Sequence, residues 1–145
     1  MRLSETDALE RLHGHDHGVL GTLHAERGVD LTPTVYAAAD GFLGSPVDLV
    51  KAKSSLRLQR ERNLESDPRA TLLVEQWDRA DWSELWWVRA ELRWVGEDRA
   101  RADVLASRLA EAFPQYRDKP FASVLVFEIV RATGWSATGS TGADR

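Results

Sequence analysis

Trp86-Trp87-Val88-Arg89-Ala90-Glu91-Leu92-Arg93-Trp94-Val95 alternates apolar side chains with charged ones. Successive residues of a strand point to opposite faces, so this period of two predicts a β-strand. Its core face carries Trp86, Val88, Ala90, Leu92 and Trp94, and its polar face carries Trp87, Arg89, Glu91 and Arg93. Trp87 and Arg89 are therefore candidates for lining a pocket or a subunit interface, whereas Trp86 and Trp94 read as packing residues.

Toward the N-terminus, Ala70 to Trp77 reads as a second strand, and Val19 to Leu23 and Leu31 to Ala38 as two more, parted by Ala25-Glu26-Arg27-Gly28. Asp40-Gly41 marks a tight turn before Phe42-Leu43, so this region reads as an antiparallel meander. Toward the C-terminus, Ser123 to Ala132 supplies a last strand. Three helices are expected. The first runs from Ser4 to Leu12, with Ser4 and Asp7 spaced as a capping pair. The second runs from Ser54, as cap, to Ser66, where Asp67-Pro68 ends it. The third runs from the Asp98 cap to Ala112, with Val104, Leu105, Leu109 and Ala112 as its buried stripe and Phe113-Pro114 as its break. Six strands with a helix inserted midway and another before the last strand predict an α+β, mainly β, antiparallel barrel rather than a parallel sheet. Residues 1–136 form a single expected domain. The Ser-, Thr- and Gly-rich stretch 137–145 is expected to be disordered.

The chain has 145 residues, 43% hydrophobic and 29% charged, which suits one globular core. No apolar run reaches the roughly 18–20 residues of a membrane span, and Met1-Arg2-Leu3-Ser4-Glu5-Thr6-Asp7 lacks a signal-peptide core, so a cytoplasmic protein with no membrane partner is expected. With no cysteine, disulfides, thiolate nucleophiles and sulfur-ligated zinc are excluded. The formal charge of -4 argues against nucleic acid as a partner.

Charge is unevenly placed. Between Lys51 and Arg62 lie five basic residues (Lys51, Lys53, Arg57, Arg60, Arg62) and one acid, Glu61, which leaves the remainder at -8 against the whole chain's -4. Cations gathered where a helix begins add to the free backbone N–H groups there and favour an anion, so Lys51, Lys53 and Arg60 read as a phosphate grip, and Arg57 and Arg62 as solvated charges. His13, His15 and His17 alternate within a glycine-flanked stretch and read as a polar loop, not a metal site. No Gly-x-Gly-x-x-Gly fingerprint or Gly-Lys-Ser/Thr phosphate loop occurs, so side chains must hold the phosphate.

Lys51-Ala52-Lys53, Leu58, Arg60, Arg62-Asn63-Leu64 and Pro68-Arg69 together resemble the cofactor-binding block of the split-barrel flavin and deazaflavin reductases, in the pyridoxamine 5'-phosphate oxidase-like superfamily. In that block a Lys-Pro-Lys element leads into a helix and an Asn-Pro-Arg end. Asp81-Trp82-Ser83 and Leu85-Trp86-Trp87-Val88-Arg89-Ala90 resemble the narrower coenzyme F420-dependent branch. Shorter matches at Leu20-Gly21-Thr22, Pro33, Pro114-Gln115-Tyr116 and Gly134-Trp135-Ser136 extend the likeness from Leu12 to Ser136. The chain departs from the pattern at Val19, where Arg is common, at Ala52, and in a shortened loop from Phe42 to Asp48.

The resemblance implies a six-stranded split β-barrel with flanking helices, working as a homodimer with the cofactor between subunits. It implies a phosphate held by Lys51, Lys53 and Arg60, with Asn63 in the same block, and a ring lying along Pro33-Thr34-Val35. Trp86 and Trp87 would approach from the partner subunit. The implied cofactor is coenzyme F420, with FMN as the alternative. The reaction would be hydride transfer to a small conjugated molecule, oriented or protonated by Arg89 or Tyr36. An FMN-dependent oxidase or reductase and a non-catalytic cofactor- or haem-binding protein are the competing functions.

Overall fold

The computed structural model describes residues 1–48 and 58–138. In chain order the elements are α1 (Glu5–His13), β1 (His17–His24), β2 (Gly28–Val35), β3 (Ala37–Ala39), β4 (Phe42–Asp48), α2 (Gln59–Ser66), β5 (Arg69–Gln76), β6 (Trp86–Trp94), α3 (Arg99–Ala112) and β7 (Phe121–Ser136). The strands form one antiparallel sheet in the order β2-β1-β5-β6-β7-β4-β3, so the architecture is α+β with a curled sheet.

The outermost strands, β2 and β3, are joined by the single residue Tyr36. One residue spans less than 4 Å, so the two sides of the sheet must curl toward each other at this point. Across the seam the hydroxyls of Thr34 in β2 and Ser45 in β4 lie 2.7 Å apart and hydrogen-bond. Tyr36 is anchored twice in the interior: its N–H donates to the Asp16 carbonyl at 2.9 Å and its hydroxyl to the Leu12 carbonyl at 2.6 Å. Seven strands replace the expected six because the run from Leu31 to Ala38 divides at Tyr36.

The alternation in β6 holds. Trp86, Val88, Ala90 and Leu92 are buried, Arg89, Glu91 and Arg93 exposed, and Trp87 and Trp94 half-buried. Leu20, Leu72, Val74 and Phe127 from neighbouring strands fill the same core. Asp40 (φ 53) and Gly41 (φ 81) make the tight hairpin between β3 and β4, both in the left-handed region that a two-residue turn of this hand demands. β7 runs longer than expected. It pairs with β6 out to Ser136, and a bulge opposite Glu91 and Leu92 leaves Val130 unpaired.

Ser4 Oγ accepts from Asp7 N–H at 3.1 Å, and Asp98 accepts from Arg101 N–H at 3.1 Å, so the expected caps of α1 and α3 form. The buried stripe of α3 is Leu105, Ala106 and Leu109; Val104 and Ala112, expected in it, are exposed. Gly44 lets α3 settle on β4, because a Cβ there would stand 2.8 Å from Leu105 Cβ. Among the described residues the second helix is Gln59–Ser66, and Leu58 before it is extended (φ -63, ψ 150), so the run expected from Ser54 to Ser66 is not continuous at Leu58. Ser54 itself lies outside the described residues. The C-terminal stretch begins with an ordered contact, Ala137 N–H to the Leu85 carbonyl at 2.9 Å, and residues 139–145 lie outside the described residues. Among the described residues no helix is long and apolar enough to cross a membrane.

Tyr36→Phe removes the hydroxyl and leaves the Leu12 carbonyl with only the longer bond from His15 N–H at 3.3 Å. A loss of about 0.5–1.5 kcal/mol is expected in urea unfolding, with the sheet's far-ultraviolet circular dichroism signal retained.

Candidate functional site

Arg60 lies in the first turn of α2. Its Nη2 donates to the Pro46 carbonyl at 3.3 Å, while its Nε is shielded from solvent and has no hydrogen-bond partner among the described residues. Burial lowers its pKa from the usual guanidinium range, against the opposing pull of Glu61 and Asp48. Among the described residues no side chain caps this helix N-terminus. A cation beside a helix start adds to the positive end of the helix dipole, which favours an anion there. Lys51, Lys53 and Arg57, expected beside it, lie outside the described residues.

Asn63, one turn along α2, has a different occupation. Its buried amide donates to Thr22 Oγ1 at 3.0 Å and to Asp30 Oδ2 at 2.9 Å, while its Oδ1 accepts from Gln59 at 2.9 Å. Asn63 thus ties α2 to β1 and β2 and has no donor left over for a cofactor. Its bond is the leading reason that the Asp30 carboxyl titrates below its usual range, with Arg27 adding a two-pronged contact at 3.0 Å.

The outer surface of the sheet gathers the other expected residues. Pro33 and Val35 of β2 face outward, whereas Thr34 is buried and its hydroxyl joins the seam. Cross-strand register places Pro33, Val19, Leu73, Arg89 and Thr133 in one row. Three strand spacings separate Pro33 from Arg89, about 14 Å. The structure therefore does not bring the expected ring strand and the expected orienting residue together within one chain. Between them lies an apolar groove of about 780 Å³, with Leu31 (69% exposed), Val29 (60%) and Val130 (58%) on its walls and Arg69, Glu91 and Arg93 at its rim.

Trp86 is buried. The His15 ring meets it edge-on at 4.6 Å and the Arg11 guanidinium lies 5.6 Å from its centre, so it serves the core. Trp87 stands outward under the Arg89 guanidinium at 5.4 Å. Tyr36 is shut inside, where burial, aided by the charge of Asp16, holds its phenol well above the ordinary range, and its proton is bonded to the main chain. The imidazoles of His13 and His15 donate to the Leu9 and Arg11 carbonyls at 2.7 and 3.1 Å, closing the end of α1. Asp81-Trp82-Ser83 builds a capped single turn entering β6, with Asp81 accepting from Ser83 N–H at 3.0 Å and Trp82 exposed.

Sequence reasoning did not single out Arg2 or Arg131, which stand beside Trp87 and Arg89 on the outer face. The alternation Arg131-Thr133-Trp135 was available as a signal, but its register against β6 was not.

No family model matches the chain, and no curated protein matches it. Solved structures do match over nearly its whole length. A FAD-binding protein of Mesorhizobium loti aligns with a TM-score of 0.67 at 16% identity, covering 92% of this chain and 93% of that one. A candidate pyridoxamine 5'-phosphate oxidase of Corynebacterium glutamicum aligns at 0.54 and 13%, covering 92% and 90%. The haem storage protein of Vibrio cholerae aligns at 0.60 and 13%, covering 89% of each. Identities this low show a shared fold.

Asn63→Ala is expected to lower stability by about 1–3 kcal/mol in urea unfolding at neutral pH, because Thr22 and Asp30 lose a buried donor. The folded-state pKa of Asp30 is depressed, so the stability this bond brings is present above the carboxylate's unfolded value and lost as pH falls through the folded one. The gap between wild type and variant should therefore narrow on going from neutral pH to about pH 3.

Proposed function

We propose that the chain is a cytoplasmic homodimeric oxidoreductase that binds coenzyme F420 and transfers a hydride to a small conjugated molecule. The observation that carries this reading is Arg60, whose shielded Nε lacks a partner among the described residues, at a helix start with no side-chain cap among them. Such a donor set fits a phosphate or another anionic group of a redox cofactor. Lys51 and Lys53 complete the grip, and Pro33 and Val35 offer the ring an outward strand surface. Asn63 serves the site by fixing α2 against β1 and β2. The cofactor supplies the hydride once bound, while the protein fixes its orientation and excludes water. The fold shared with a FAD-binding protein supports a flavin-type ligand.

The dimer has its own support. Leu31, Val29, Leu73 and Val130 are exposed together on one groove, an apolar patch with charged residues at its rim, as protein–protein contact sites often have. The rim carries both signs, Arg69 and Arg93 with Glu91, as a two-fold interface that meets its own copy requires. A second copy seated there can present its Trp87 and Arg89 to the first copy's ring strand, spanning the separation found within one chain.

Fluorescence titration with coenzyme F420 and with FMN tests the reading. Binding of F420, weakened about tenfold or more in Arg60→Ala, is the expected result. Preference for FMN would transfer the proposal to an FMN enzyme, and affinity for neither would overturn it. Haem binding without turnover by either reduced cofactor would favour the carrier role that the haem storage neighbour suggests. Leu31→Asp together with Val130→Asp is expected to convert a dimer to a monomer in sedimentation equilibrium.

A further inference from the structure

We infer that the outer end of β6 and β7 is a binding site for a flat conjugated carboxylate. A depression of about 430 Å³ opens there, lined by the side chains of Arg2, Trp87, Arg89, Arg131, Thr133 and Trp135. The sheet register sets their arrangement: Trp87 lies opposite Trp135, Arg89 opposite Thr133, and Arg131 opposite Glu91. Arg2 arrives from the N-terminal segment, bridged to Trp135. That segment is fixed by Leu3 N–H to the Gly134 carbonyl and Ser136 N–H to the Met1 carbonyl, both 2.9 Å, and Leu3 is buried so that Arg2 faces out. Gly134 permits this close approach, because a Cβ there would stand 2.6 Å from the Trp87 carbonyl oxygen and 2.9 Å from Leu3 Cδ1.

Three guanidinium groups meet one carboxylate here, in a chain whose formal charge is -4. Among the described residues, none of the guanidinium groups of Arg2, Arg89 and Arg131 makes a hydrogen bond or an ion pair; Arg89 lies over Trp87. Like charges gathered on neighbouring strands repel one another, and a bound anion relieves that repulsion. Guanidinium forks match a carboxylate in two-pronged fashion, and the paired indoles offer a flat apolar surface against which a conjugated ring can stack. The volume suits one or two fused rings, far short of a polymer. Water alone on these three arginines, with Glu91 answering Arg131, is the competing account.

Arg89 is one of the two candidates for orienting the substrate, so the naming of this ligand as substrate rests on the proposed function. Binding itself needs no cofactor. Calorimetric titration of purified, cofactor-free full chain with 2-naphthoate and with its uncharged analogue 2-naphthamide tests the site. Naphthoate is expected to bind at least about tenfold more tightly than the amide, and Arg89→Gln with Arg131→Gln is expected to abolish that preference. Equal affinity for the two probes, no affinity for naphthoate, or a preference that survives the double substitution would overturn the inference. Trp135→Leu, which keeps the charges, should weaken both probes alike; an unchanged affinity would remove the stacking surface from the account. Cofactor titration of the same variants separates the two readings, since Arg60 shares no residue with this depression.

Discussion

Everything in this fold is conditioned by the chain crossing from one outermost strand to the other within a single residue. β2 and β3 sit at opposite ends of the strand order, and Tyr36 alone joins them. The sheet must therefore curl, and the curl needs an interior filled to match. Tyr36 fills part of it and is pinned at both ends by main-chain carbonyls, one from the end of α1 and one from the turn into β1. The Thr34–Ser45 hydroxyl bond joins two strands that no backbone ladder joins. A curled sheet has two unlike faces: the inner is consumed by packing, and the outer is left to meet ligands and partners.

That distinction explains which parts were legible in the sequence. The alternation in Trp86 to Trp94 is local and strong, so the core face and the outer face of β6 could be read directly. The caps at Ser4 and Asp98 and the Asp40-Gly41 turn are likewise short-range, each needing only a side chain and a backbone group three residues away or two residues in the left-handed region. The division of Leu31 to Ala38 at Tyr36 was not readable, because it arises where the two ends of the sheet meet. The interruption at Leu58 of the helix expected from Ser54 to Ser66 was not readable for a related reason. Leu58 packs against the core in an extended conformation, a tertiary contact that helix propensity does not register.

The candidate site divides along the same line. Arg60 was legible as part of a basic cluster, yet its Nε, unpartnered among the described residues, depends on how α2 lies against β4. Asn63 looked like a member of a cofactor motif and proves to be the joint between α2, β1 and β2, a position that a motif can preserve for support as readily as for contact. Tyr36 could be suspected of proton transfer from its residue type, until burial and the Leu12 carbonyl account for its hydroxyl. Arg2 and Arg131 carried no sequence signal because their neighbours come from cross-strand register.

The outer face then sets a geometric condition on function. The ring strand and Arg89 lie in one cross-strand row with Val19 and Leu73 between them, and a rigid sheet cannot shorten that distance. A cofactor lying on β2 of one chain could be reached by Trp87 and Arg89 only from a second chain whose β6 packs over the apolar groove. Under the proposed dimer, the groove's exposed leucine and valines and the cation-rich depression at its far end would be parts of one arrangement: the first would bring two copies together, and the second would face a small anion that meets the ring. Without a second copy the same residues would be scattered over a surface too wide for one small molecule to touch at once.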